Sequence, residues 1–99
     1  MEYSQESLWA RTAIERAIAA HKVPPKIIDY SFEFRQNIAG ADSIFVRILL
    51  ATDTRDEDWT TDKLEPIRDA IRTSLTANRV DRWVYVSYDR AEPSQRAAG

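Results

Sequence analysis

The sequence predicts an α+β domain of order α-β-β-α-β, with two helices packed on one face of a three-stranded mixed sheet. Three observations carry that expectation. Residues 43–51, SIFVRILLA, are apolar on both alternating faces, the pattern of a central strand. Residues 27–35 read as a strand by period two, alternating from Ile28 to Arg35, and Leu64, Ile67, Ile71 and Leu75 recur at helical spacing. A chain of 99 residues has room for one core. We place a single domain over residues 1–88 and expect the tail 89–99 to be disordered, because its composition gives it nothing to bury.

The first helix is expected from a cap at Ser4 or Ser7 to about His21, with Glu6 near the positive end of its dipole. Trp9, Ala10, Ala13, Ile14, Ala17 and Ile18 form its inner stripe, and the small alanines allow it to lie close on a sheet. Pro24 and Pro25 follow where the helix must end. In the next strand Ile28, Tyr30, Phe32 and Phe34 face the core, while Asp29, Ser31, Glu33 and Arg35 face away. The loop QNIAGAD, with Gly40 available for positive φ, turns this strand antiparallel to 43–51. If both apolar sets share a face, paired residue numbers must sum to an even value such as 78 or 80. Residues 52–58, TDTRDED, read as an acidic loop before a second helix that starts near Thr60 to Asp62. Trp59 is expected to pack as a staple at that helix entry. Pro66 favours a late start, because proline is tolerated in the first turn and costs ~3 kcal/mol deeper in a helix. The last strand, residues 82–88, puts Val84 and Val86 on the core face with Trp83 and Tyr85 opposite, and a right-handed crossover leaves it parallel to the central strand.

Composition narrows the chemistry. Fourteen basic against sixteen acidic residues give none of the positive surplus expected of a nucleic-acid binder. Without cysteine there is no disulfide, thiolate ligand or cysteine nucleophile. No apolar run approaches the ~20 residues of a membrane span, and the start MEYSQESLWARTAIERA is not that of a signal peptide, so a cytoplasmic protein with no membrane partner is expected. His21, the only histidine, belongs at a helix end. Asp53, Asp56, Glu57, Asp58 and Asp62 lack the alternation and turn glycine of a calcium loop. Gly40 and Gly99 build no phosphate-cradling loop. We therefore expect no catalytic residue, no metal and no cofactor.

What remains is the sheet face the helices leave open: Phe45, Leu49, Trp83 and Tyr85, with Glu33, Arg35 and Arg47 among them. Several large apolar groups on an open face point to something that covers them. Trp, Tyr and Arg are the types that dominate interface energetics. Arg47 is expected to pair across the strands with Glu33. The function expected is a non-enzymatic interaction module, an accessory or regulatory subunit or an antitoxin or inhibitor type. It would act as a homodimer or with a heterologous protein through this face. Two alternatives stand beside it: single-stranded nucleic acid stacked on the aromatics, with Arg35, Arg47 and Arg82 for phosphates, and an enzyme whose site forms only on assembly.

The α-β-β-α-β order, the hairpin NIAGADSIFVRILL and the final strand together resemble, in layout, the cytosolic domain of cation-efflux transporters over most of residues 4–88. The resemblance implies dimerisation. The histidines by which that family binds metal have no counterpart in these strands or loops, so neither metal regulation nor transport is carried over.

Overall fold

The computed structural model describes residues 5–92. Its elements are α1 (Gln5–Ala20), β1 (Ile27–Gln36), β2 (Asp42–Leu50), a short 3-10 turn (Asp56–Asp58), α2 (Thr61–Ala77) and β3 (Trp83–Arg90). The sheet order is β1-β2-β3, with β1 and β2 antiparallel and β2 and β3 parallel. This is the expected order and the expected mixed sheet.

The core is built on β2. Ile44, Val46, Ile48 and Leu50 are buried against Ala10, Ala13, Ile14 and Ala17 of α1 and Ile67, Ile71 and Leu75 of α2. Alanines on α1 bring the helices together closely enough for the Ser74 hydroxyl to donate to the Ala13 carbonyl at 2.7 Å. Two helices side by side span less than three strands. Tyr30, Phe32 and Phe34 of β1 and Val84, Val86 and Tyr88 of β3 therefore pack against the core only in part.

The β1–β2 register pairs Tyr30 with Ile48, Phe32 with Val46 and Phe34 with Ile44, so that paired numbers sum to 78. Parity breaks at the start of β1. Ile27 stands opposite Leu50 and Asp29 opposite Leu49, leaving Ile28 as the extra residue of a bulge. Ile28 does not face the core as expected; it is exposed, and Ile27 packs inward in its place.

Helix α1 lies one residue short of the expected end at His21; Ser4 lies outside the described residues, as do residues 93–99 of the tail. Helix α2 starts at Thr61, which puts Pro66 in the second turn rather than the first. Its missing N–H leaves the Asp62 carbonyl without an intrahelical donor, and both residues are at the surface. At the other end Arg79 adopts φ 70°, its N–H donates to the Thr76 carbonyl at 3.2 Å, and Val80 N–H donates to the Leu75 carbonyl at 3.0 Å. This is a Schellman cap with arginine where glycine is usual, closed by the buried Val80–Leu75 contact. Strand β3 continues to Arg90, two residues beyond its expected end, and Ala91 N–H donates to the Leu50 carbonyl at 2.8 Å. Arg90 also lies 5.3 Å from the Trp59 ring and 3.3 Å from Asp56, tying the end of β3 to the acidic loop.

Candidate protein-interaction face

Beyond the bulge in β1, odd-numbered residues of the strands point to the side that carries no helix. Phe45 and Tyr85 are direct neighbours across β2 and β3, and their rings stack at 4.8 Å and 15°. The Arg35 guanidinium lies 3.7 Å from the Phe45 ring centroid and 2.5 Å from the Glu33 carboxylate. Glu33 thus orients a cation over an aromatic face, an arrangement that covers Phe45 with charge without burying it. From the hairpin loop, Asn37 donates to the Tyr85 hydroxyl at 3.0 Å. Trp83 begins β3 opposite Ser43 and is 65% exposed, the largest unshielded apolar side chain on this face. Leu49 is half-buried further along β2, beside Asp89.

The structure brings all seven expected residues, Glu33, Arg35, Phe45, Arg47, Leu49, Trp83 and Tyr85, onto one face. It changes their partners. Arg47 pairs with Asp89 of β3 rather than with Glu33, because the strand runs past Tyr88 and brings a carboxylate alongside. Arg82 does not belong to this face: it reaches the helix side, where it bonds Glu6 bidentately at 3.0 and 3.1 Å and lies 4.3 Å from the Phe34 ring. The bonds to Glu6 raise its pKa further above the usual arginine value. Each arginine named as a possible phosphate ligand is thus engaged by a carboxylate: Arg35 by Glu33, Arg47 by Asp89 and Arg82 by Glu6. Ile38, fully exposed in the hairpin loop next to Asn37, was missing from the expected set. Its signal was visible as an isoleucine in a turn otherwise made of polar and small residues.

Elsewhere His21, Asp56 and Glu57 are engaged in local structure. His21 Nε2 lies 2.8 Å from the Pro25 carbonyl and joins the end of α1 to the turn before β1. In the acidic loop Glu57 pairs with Arg55 at 2.8 Å and Asp56 with Arg90. Among the described residues no three histidine, aspartate or glutamate side chains converge on a metal position, and no helix is long and apolar enough to cross a membrane. Compared with protein-family models, with curated proteins and with solved structures, the chain matches none of them.

Proposed function

We propose that this protein is a non-enzymatic interaction module that binds a protein partner through its open sheet face, with Trp83 as the anchor. The single observation that carries the reading is the exposed Trp83 indole beside the Phe45–Tyr85 stack, on a face whose arginines are already paired. A large rigid aromatic next to an arginine-capped ring is the composition of an interface centre, and the ion pairs around it suit a rim. Neutralised arginines favour protein over the phosphate backbone of a nucleic acid. An accessory or inhibitor role fits a domain whose described residues offer an exposed aromatic surface.

The test compares the wild-type chain and Trp83→Glu as baits in extract of the native host, followed by titration of the recovered protein in purified form. The expected result is a protein retained by the wild type and bound at least about thirtyfold more weakly by the variant, the size of a hot-spot truncation. Equal retention by both, with the variant folded, would remove Trp83 and this face from the mechanism. A second copy seated on the same face is the other reading, favoured by the aromatic exposure itself. It predicts a wild-type dimer that Trp83→Glu converts to a monomer.

A further inference from the structure

The outer edge of β1 is a second surface, distinct from the open face. Strand β1 is ten residues long and lies at the sheet edge with no described strand on its outer side. The phase of its hydrogen bonding follows from the hairpin: Asn37 N–H donates to the Ala41 carbonyl at 2.9 Å, so odd-numbered residues of β1 bond β2 and even-numbered ones turn their N–H and C=O groups outward. Tyr30 fits that phase, since its N–H meets no β2 carbonyl and is bonded instead by its own neighbour, the Asp29 carboxylate, at 2.8 Å. The outward groups therefore belong to Tyr30, Phe32 and Phe34. Their rings form a contiguous row, Tyr30 to Phe32 at 6.4 Å and Phe32 to Phe34 at 5.7 Å, only half covered by the helices. Long edge strands with an apolar row are normally protected by charge or covered by another chain.

The charges on the opposite side of β1 indicate what covers it. In an antiparallel pairing of β1 with a second β1, centred on Phe32, Asp29 stands opposite Arg35 of the partner subunit, twice by symmetry. Tyr30 stands opposite Phe34 of the partner subunit, and Ser31 opposite Glu33 of the partner subunit. Sliding by one step of two residues in one direction sets Asp29 against Glu33 of the partner subunit; sliding the other way sets Glu33 against Glu33 of the partner subunit. Both juxtapose like charges, which destabilises cross-strand pairs. A slide of four that restores attraction between Glu33 and Arg35 of the partner subunit leaves only residues 32–36 overlapping and loses the central ring contacts. A slide of four the other way overlaps residues 27–33 but sets Asp29 against Ser31 of the partner subunit and forms no opposite-charge pair, so only the register centred on Phe32 combines a long overlap with attraction.

We propose that two copies of this chain pair through their β1 edges in that register, forming a continuous six-stranded sheet. About six main-chain hydrogen bonds close the seam. In the pair, Asp29 exchanges the Tyr30 N–H for Arg35 of the partner subunit, and Tyr30 N–H finds the carbonyl of Phe34 of the partner subunit. Arg35 keeps Glu33 and the Phe45 ring, since a guanidinium has five donors. Dimerisation in this mode leaves both Trp83 faces open on one side of the joined sheet, a bivalent surface for the partner proposed above.

The test is charge reversal read by light scattering across a wide concentration range. The wild type is expected to be a dimer. Asp29→Arg alone and Arg35→Asp alone each weaken it about tenfold or more, because each places two like-charged pairs at the seam. Mixed one to one, the two variants recover a heterodimer, since every cross-strand pair is then of opposite sign; a variant that merely misfolds gives no such rescue. Trp83→Glu stays dimeric. A wild type that remains monomeric, a dimer unaffected by either charge reversal, or variants that fail to associate when mixed would each overturn the proposal.

Discussion

At the residue scale, the open face combines one exposed anchor with groups that restrain its neighbours. Trp83 contributes little to folding because so much of it lies in water, and Trp83→Glu is expected to change stability by no more than about 0.5 kcal/mol in urea denaturation while abolishing partner binding. Tyr30 behaves differently. Burial, then its 2.8 Å hydrogen bond to Glu15, push its hydroxyl pKa up from 10 to about 12. Below pH 10 the proton is held in folded and unfolded chains alike. Between there and about 12 the unfolded chain releases it first, so this contribution to stability is lost as pH rises. Tyr30→Phe is expected to flatten the alkaline fall of the melting temperature, a modest change because the pair sits near solvent. Tyr88, also raised by burial, retains part of the slope in that variant.

At the element scale, both ends of α2 carry residues that work against the helix. Arg79 holds φ 70° at a position glycine would occupy without strain, and Arg79→Gly is expected to stabilise the domain by about 0.5–1 kcal/mol. Pro66→Ala should add about 1–3 kcal/mol by restoring the bond to the Asp62 carbonyl, both variants being measured by chemical denaturation. The periodicities that mark the strands and helices report burial directly, so element order, the faces of β2 and β3 and the parity of the β1–β2 register were legible in the sequence. Features set by spatial partners were not. The bulge at Ile28 arises where β1 meets the end of β2, and no residue type announces it. Likewise, Arg47 bonds Asp89 because a parallel strand delivers that carboxylate, and Arg82 turns to the helix side because Glu6 meets it there. All seven face residues followed from alternation alone, whereas Arg35 over Phe45 is a side-chain conformation that period two does not specify.

At the scale of the whole molecule, one central strand organises the protein. Strand β2 is covered completely on its inner side, and its neighbours are covered by halves, so the molecule is left with a firm core, an aromatic edge and an open face. Ile71→Ala, at the centre of that core, is expected to cost about 2–5 kcal/mol and to weaken every association, because it acts through the fold. Changes at Trp83 and at Asp29 are expected to act separately: the first removes the partner, the second the pairing of copies, and their effects should be independent for sites that share no contact. The most direct measurement is quantitative capture from native extract with wild-type and Trp83→Glu baits, each confirmed folded by circular dichroism. A protein that the wild type retains, that binds it in purified form and that Trp83→Glu loses is the expected result. Capture that does not distinguish the two baits would contradict the assignment of function to the open sheet face.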